Sequence, residues 1–263
     1  MSKIDYGTCH ICGKVGKLSF EHVPPEAAFN NHRVLRVSFQ QALRQHPDHF
    51  RGRYQQKGAG ANTLCESCNS DTGSWYGTAY ADWAAQAMPL LIGTRAPPTL
   101  EYPFRLSPLR VLKQVACMFF HTKQPDLVRF VLNKEAKSFP DHIRVYAFYT
   151  LSDRSRTAPV TGVFKGFGTN SSSMHVFSEV TFPPFGCVMT IEKSPPPGYG
   201  FCEISEFAKF DYHRDTNVGI LMRLPLMPIY TLFPGGYRTH DATLADSAES
   251  EQRWRESGMP PLT

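Results

Sequence analysis

The chain of 263 residues lacks any apolar run approaching the ~20 residues that a helix needs to cross a bilayer. Its first residues, MSKIDYGTCHICGK, have no apolar stretch behind the lysine, so we expect no signal peptide. Internal repeats, low-complexity tracts and a phosphate-cradling glycine loop are absent as well. These absences favour a cytoplasmic globular protein without a membrane partner. In that compartment thiols stay reduced, and paired cysteines more often bind metal than form disulfides.

A strong excess of charge of one sign is also missing. The chain has 28 Lys and Arg against 23 Asp and Glu, which gives a net charge of +5. That balance permits a polyanionic partner without requiring one. A composition of 41% hydrophobic and 19% charged residues is typical of an ordinary globular protein. The function therefore has to be inferred from motifs.

Two segments show the periodicity of helices. Apolar residues recur at spacings of three and four over residues 75–92, where Pro89 is expected to end or kink the helix. A second helix is predicted from residue 109 to about 122, with Ser107 as its N-cap and Pro108 at its first position. The stretch 93–108 between them carries four prolines and is predicted to be a connector.

The pattern changes after about residue 141. Short runs rich in Val, Phe, Tyr and Thr alternate with clusters of Gly, Pro and Ser, which predicts antiparallel strands. We therefore predict an α+β protein with two domains. The first covers residues 1–92, and the second, over residues 93–263, is a mixed domain of helices and antiparallel strands whose role the sequence does not indicate.

Four cysteines form two CxxC pairs with 52 residues between them, namely Cys9, Cys12, Cys65 and Cys68. Two such turns supply the four thiolates that a structural, tetrahedral zinc ion prefers. Gly13 follows the first pair, where a tight knuckle favours a residue without a side chain. The alternatives are two separate thiol pairs or a redox CxxC, but the βαβ context of a redox motif is missing.

A Glu-His dipeptide lies between the two cysteine pairs, and an asparagine follows the second pair. They are Glu21 and His22, in the run FEHVPP, and Asn69. The order CxxC, [D/E]HxxP, CxxCN resembles the HNH or ββα-metal endonuclease family. It is most similar to the four-cysteine branch that includes phage endonucleases acting on branched DNA. The resemblance covers roughly residues 7–85 and says nothing about the rest of the chain.

The resemblance implies a zinc-stapled ββα-metal, treble-clef-like HNH domain and a role for each motif residue. Glu21 and Asn69 would hold a catalytic Mg²⁺ or Mn²⁺, for which they offer hard oxygen ligands. His22 would activate water, because the imidazole of histidine exchanges protons near neutral pH. The sequence departs from the family pattern at two points. Glu21 replaces the commoner aspartate, and Asn62, the candidate for bracing the hairpin loop, lies closer to the second knuckle than usual.

A basic insert over residues 32–57 separates the Glu-His pair from the second knuckle. Its positive charges suit a phosphate backbone and its aromatics suit unpaired bases, although a solvated loop is an equal interpretation. Its HxxH, from residue 46 to 49, is too weak a pattern to predict metal ligands. The basic residues are Arg33, Arg36, Arg44, Arg51, Arg53 and Lys57, against Asp48 alone, and the aromatics are Phe39, Phe50 and Tyr54.

Two functional hypotheses follow from these motifs. The first is a metal-dependent endonuclease that cuts nucleic acid, DNA before RNA, with structural zinc and catalytic Mg²⁺ or Mn²⁺. The second is a zinc-stabilised module that binds nucleic acid or protein without chemistry. Residues from about 100 onward carry no catalytic motif and are candidates for DNA binding, ligand sensing, homodimerisation or contact with a regulatory partner. A loose resemblance to prophage and anti-phage defence proteins suggests phage defence as a context.

Overall fold

The protein is described by a computed structural model, which covers residues 5–37, 51–90, 98–119, 124–150, 155–157, 160–165, 174–191, 200–227 and 236–238, with residues 252 and 256. Its architecture is mixed α+β with antiparallel sheets and few helices, which confirms the predicted class. Within these residues, no helix has both the length and the apolar character that crossing a membrane requires.

The N-terminal part alternates short strands with a helical run. In chain order its elements are β1 (Tyr6–Thr8), β2 (Val15–His22), β3 (Val34–Arg36), β4 (Arg53–Gln55), β5 (Gly60–Cys65), α1 (Glu66–Thr72), a π-helical turn (Gly73–Gly77) and α2 (Thr78–Ala87).

The remainder begins with one strand and two helices and continues mainly as strands. In chain order its elements are β6 (Thr99–Leu106), α3 (Pro108–Met118), α4 (Pro125–Leu132), β7 (Ile143–Tyr149), β8 (Ser155–Thr157), β9 (Val160–Lys165), β10 (Met174–Phe182), β11 (Phe185–Ile191), β12 (Cys202–Glu203), a 3₁₀ turn (Ser205–Lys209), β13 (Val218–Pro225) and β14 (Gly236–Arg238).

The described strands form four sheets with antiparallel ladders. The first has the order β1-β2-β5, and the largest has the order β12-β7-β11-β10-β9. β6 pairs with β13, and a fourth sheet has the order β4-β3-β14-β8. The β7, β9, β10 and β11 runs are rich in β-branched and aromatic residues, which pack well on a pleated surface. The antiparallel strands predicted after residue 141 are therefore confirmed.

One hydrophobic core joins the N-terminal helices to the sheet that follows. Trp83 of α2 is fully buried, and its ring stacks on Phe185 of β11 with centroids 3.8 Å apart. Phe104 of β6 contacts the same indole edge-on, and the Tyr76 hydroxyl donates to the Val131 carbonyl at 2.6 Å. The core cluster extends from Cys9 to Leu224 and so includes residues on both sides of the expected boundary after residue 92. The two-domain division stays a prediction.

The connector predicted over residues 93–108 is wrong for its second half, because Thr99–Leu106 is the strand β6. It pairs with β13 along its whole length, and Pro103 lies opposite Leu221. A proline is tolerated here because the ladder has only two strands, so one edge needs no amide donor. The alternating burial of Leu100, Phe104 and Leu106 is the strand signal that the prolines obscured.

Both helix predictions needed adjustment at an end. The first helical run begins at Glu66, nine residues before the predicted start, because α1 and the π-helical turn lead directly into α2. α3 begins at Pro108 as predicted, with Ser107 in the N-cap position but without a side-chain capping bond. α3 ends at Met118, before the predicted end near residue 122. α4 was not predicted.

Candidate metal centre and hairpin site

The two cysteine knuckles approach each other because β2 and β5 pair as antiparallel neighbours in one sheet. This pair is called the hairpin below, although β3 and β4 lie between its strands in sequence. The first knuckle follows β1, and the Cys9 carbonyl accepts a hydrogen bond from the Gly13 amide at 3.0 Å. Gly13 has a φ of +71°, a left-handed conformation that favours glycine, as its position predicted. The His10 amide donates to the Thr63 carbonyl of β5 at 3.0 Å, which ties the first knuckle to the strand that carries the second.

The four sulfurs predicted to bind zinc form one cluster. Cys9, Cys12, Cys65 and Cys68 offer ligand atoms that all lie within 4.8 Å of one another. The Sγ atoms of Cys12 and Cys65 are 3.8 Å apart. Four sulfurs bound tetrahedrally at ~2.3 Å from one zinc ion would be separated by about 3.8 Å. The tetrad is therefore placed to bind a metal such as zinc.

The pKa values of the Cys9 and Cys68 thiols also favour a bound cation. Burial opposes ionisation of Cys9, but hydrogen bonds from the backbone amides of Cys65, Cys12 and Ile11 outweigh it and lower the Cys9 pKa to about 7. Burial and the neighbouring thiols raise the pKa of Cys68 well above its usual value. One thiol of the tetrad thus ionises readily, and its negative charge opposes ionisation of the next thiol. A bound cation would remove that repulsion, because metal ligation requires the thiolate form.

Glu21 points into the protein. Its side chain is only 9% exposed, and its Oε2 accepts a hydrogen bond from the Thr63 hydroxyl at 2.5 Å. Burial raises the pKa of the Glu21 carboxyl to about 7, and the Thr63 hydroxyl opposes part of that shift. Among the described residues, no cationic side chain acts on this carboxyl. Such a carboxyl is only partly ionised near pH 7, and a positive charge bound beside it would favour the ionised form.

His22 is the last residue of β2 and is half-buried. Its Nε2 lies 2.7 Å from the carbonyl oxygen of Lys57. A carbonyl only accepts hydrogen bonds, so Nε2 carries the proton and Nδ1 of the neutral ring keeps its lone pair. The Phe20 ring packs edge-on against the imidazole with centroids 4.9 Å apart. The structure thus fixes the tautomer that a general base acting through Nδ1 requires.

Asn69 lies in the first turns of α1 and contacts the hairpin directly. Its amide nitrogen donates to the Phe20 carbonyl at 2.9 Å and to the Ser19 hydroxyl at 3.1 Å. Its Oδ1 receives no hydrogen bond from the described part of the chain. Asn62, the other predicted asparagine, donates instead to the Asp5 carboxylate, so its observed contact joins β5 to the residue before β1.

The predicted site residues gather at one end of the hairpin but on two faces. Successive side chains of a strand point to opposite sides. Glu21 and Ser19 share the face that α1 covers through Asn69, whereas His22 shares the other face with Phe20 and Asn62. The structure brings Glu21 and Asn69 to the same side and places His22 at the strand end on the other.

Sequence reasoning missed Asn30, which is fully buried. Its Nδ2 donates to the carbonyls of Pro24 and Ala59 at 2.6 and 2.7 Å, and its Oδ1 accepts from the Ala59 amide at 2.6 Å. Gly58 passes so close that a Cβ there would lie 1.9 Å from the Asn30 carbonyl oxygen, and its φ is +86°. Asn30 thereby holds the segment whose Lys57 carbonyl orients His22. An asparagine eight residues after the histidine was the only signal in the sequence.

The basic insert is described at its two ends, which form β3 and β4. Arg36 and Arg53 lie directly opposite each other in this ladder. The Arg33 guanidinium stacks 3.4 Å over the ring of Tyr54. The remaining predicted contacts, from Arg44, Phe39, Phe50 and Asp48, lie outside the described residues.

Comparison with known proteins adds no relative. No protein-family model, no curated protein and no solved structure matches the chain. Its functional interpretation therefore rests on its own residues and their geometry.

Proposed function

We propose that the protein is an HNH-type, metal-dependent endonuclease that hydrolyses phosphodiester bonds of nucleic acid, with DNA as the first candidate. The observation that carries the proposal is the orientation of His22. The Lys57 carbonyl holds the Nε2 proton, so Nδ1 is available to accept a proton from water. His22 also lies at the end of the strand that follows the first cysteine knuckle, close in the sheet to the strand that leads into the second.

The residues expected to hold the catalytic Mg²⁺ or Mn²⁺ fit a hard cation. Glu21 is a nearly buried carboxyl with no described cationic partner, and a divalent ion would supply the missing positive charge. Asn69 is oriented by its amide nitrogen, which leaves Oδ1 for a ligand. Both side chains lie on the face that α1 covers. The pair supplies two oxygen ligands, and water and substrate phosphate would complete the shell.

Each side chain has a defined task in this proposal. A bound Mg²⁺ or Mn²⁺ supplies positive charge for the phosphate that becomes more negative during hydrolysis. Nδ1 of His22 accepts the proton of the attacking water, and the Lys57 carbonyl stabilises the imidazolium that results. The P–O bond to the leaving oxygen breaks as the water oxygen bonds to phosphorus, and the leaving oxygen takes up a proton from solvent water. Asn30 keeps that carbonyl in place. The cysteine tetrad, filled by zinc, holds β2, β5 and α1 together and takes no part in the chemistry.

One observation favours the second candidate, a zinc-stabilised binding module without catalysis. Glu21 and His22 point to opposite faces of the hairpin, so metal and base approach one phosphate only at the end of the strand. A module that merely binds nucleic acid would need no such approach.

The test is cleavage of single-stranded and duplex DNA and RNA by purified protein with added Mg²⁺ or Mn²⁺. Removing a general base typically costs ~10²–10⁴-fold in rate, so His22→Ala should lose that much while its zinc content and binding persist. His142→Ala, at an exposed position before β7, is the matched control and should cut normally. Wild-type cleavage rates in His22→Ala would refute the site. The binding module predicts no metal-dependent cleavage by any variant.

A further inference from the structure

An open cleft of about 640 Å³ lies against Phe20 and Lys57, both of which contact the His22 ring, on the face of the hairpin opposite Glu21. Phe20 and Asn62, which are cross-strand neighbours, line its floor. Lys57 lines it too, and its carbonyl accepts the hydrogen bond of the His22 ring. The volume falls within the range of pockets that bind small molecules or parts of larger ones. The Phe20 ring thus separates the cleft from the imidazole of the proposed base.

The charges of the cleft suit an anion. Arg36 and Arg53, both lining residues, are direct cross-strand partners, and opposed like charges destabilise a ladder. No described carboxylate forms an ion pair with either arginine. The carboxylate hydrogen-bonded to a lining side chain is that of Asp5, which accepts from Asn62. Two adjacent guanidinium groups present parallel donors that match the oxygens of a phosphodiester.

The other lining groups suit a nucleobase. Tyr54 is 52% exposed and carries the Arg33 guanidinium over one face of its ring, and Phe20 offers a second, half-buried ring. Bases stack on aromatic rings and on guanidinium planes only when they have left their own stack. The side-chain amides of Gln55, Gln56 and Asn62 also line the cleft. The nitrogens of Asn62 and Gln55 donate to Asp5 and to the Gly60 carbonyl, so the oxygens of these two amides remain to accept from a base edge. A paired, stacked base could not enter.

We propose that this cleft binds an unpaired nucleotide of the substrate strand. Its phosphate lies between Arg36 and Arg53, and its base lies against Phe20 and Tyr54. The protein then prefers strands with unpaired nucleotides next to the cutting position over continuous duplex. The proposal deepens the nuclease function and rests on it for cleavage, but the binding step is independent of it.

The test measures binding without cleavage. His22→Ala protein, with no added Mg²⁺ or Mn²⁺, is titrated against a fluorescent single-stranded oligonucleotide and against a duplex of the same sequence, by anisotropy at several salt concentrations. The wild-type cleft should favour the single strand about tenfold or more. Adding Tyr54→Leu should weaken single-strand binding about 5- to 150-fold, the range for removal of one base stack, and leave the salt dependence unchanged.

The double variant Arg36→Gln/Arg53→Gln should weaken binding and reduce the salt slope by about 0.7 for each phosphate that is no longer neutralised. Arg129→Gln/Arg214→Gln is the matched control, because it removes two exposed arginines far from the cleft in sequence. It gives the protein the same net charge as Arg36→Gln/Arg53→Gln does. Zinc content establishes that each variant is folded. Neutralisation of Arg36 and Arg53 with no more effect than the control overturns the proposal.

Equal affinity for duplex and single strand, with no effect of Tyr54→Leu, also overturns it and would leave a sequence-independent backbone site. Failure here is distinct from failure of the nuclease function. If cleavage is lost in His22→Ala but unchanged in the variants at Tyr54, Arg36 and Arg53, only the cleft proposal is refuted. Selective binding without cleavage by the wild type removes only the catalytic proposal.

Discussion

The knuckle region (residues 5–37 and 51–90) and the sheet region (β7, β9, β10, β11 and β12) share one hydrophobic core but differ in the polar contacts that they add to it. In the knuckle region, several buried polar side chains have a particular partner, as Glu21 has Thr63 and Asn30 has Ala59. In the sheet region, apolar side chains such as Phe148, Phe177 and Val188 are almost completely buried. The knuckle region therefore adds side-chain hydrogen bonds, and a cysteine tetrad placed to bind a metal, to the hydrophobic core that it shares with the sheet region.

Loss of the metal should destabilise the knuckle region far more than the sheet region, and this is the largest effect that we expect. Cys68→Ser removes one of four sulfurs, and structural zinc contributes about 10–16 kcal/mol of apparent binding free energy that is also folding free energy. We expect loss of zinc and of ordered structure around β2, β5 and α1. Zinc analysis and amide hydrogen exchange would measure both. Cys202→Ser, outside the tetrad, is the control and should keep its zinc. If zinc-free Cys68→Ser protein kept native hydrogen-exchange protection in β2, β5 and α1, the metal would not be what stabilises the knuckle region.

A cavity at the junction tests whether the regions fold together. Phe185 is 1% exposed and stacks on Trp83, so Phe185→Ala should destabilise the protein by about 3–5 kcal/mol. Because one core cluster includes both regions, zinc release and tryptophan fluorescence should shift together in denaturant. Leu221→Ala, at a 65% exposed position, should change stability by less than about 0.5 kcal/mol. Unchanged zinc release in Phe185→Ala would mean that the knuckle region unfolds independently.

Asn30 tests the role of buried polar ties in the knuckle region. Asn30→Ala leaves the Pro24 carbonyl and the Ala59 amide without their partner, whereas the Ala59 carbonyl keeps its hydrogen bond from the Val23 amide; each buried group that stays unsatisfied costs about 1–3 kcal/mol. Under the nuclease proposal, cleavage should fall more than zinc binding, because the Lys57 carbonyl that orients His22 loses its support. Asn31→Ala, at the exposed neighbouring position, is the control. Equal cleavage by the two variants would show that Asn30 does not position His22.

The smallest expected effect is a pH dependence of catalytic-metal binding. Burial raises the pKa of Glu21 to about 7, and a divalent ion binds the ionised carboxylate. The affinity for Mn²⁺ should therefore reach its maximum above pH 7, where the carboxylate is ionised. Below pH 7 it should fall about tenfold for each pH unit, since the proton competes with the metal. Electron paramagnetic resonance of free Mn²⁺ between pH 6 and 8 measures this. Glu21→Gln should bind more weakly with little pH dependence, whereas Glu26→Gln, at an exposed position, should behave as wild type. A full pH slope in Glu21→Gln would exclude Glu21 as the ligand.

Local patterns predicted the parts of the structure that depend on neighbours in sequence. The two CxxC turns, the left-handed Gly13, the start of α3 and the strands after residue 141 all follow from spacing, residue type or periodicity. β6 was missed because its prolines outweighed an alternating pattern that only the pairing with β13 makes visible. The early start of the first helical run was missed because α1 takes its position from the second knuckle rather than from apolar periodicity.

The sequence by itself determined that four cysteines would meet, because one tetrahedral metal takes four thiolates however far apart the two pairs lie in sequence. It also placed a Glu-His pair between them in the chain. Only the tertiary structure decided what those residues face. The Lys57 carbonyl on His22, the buried surroundings of Glu21 and the paired arginines of the cleft each join segments at least 17 residues apart. Such contacts depend on how the chain returns to itself across a hairpin and against a common core, and no local pattern encodes that path.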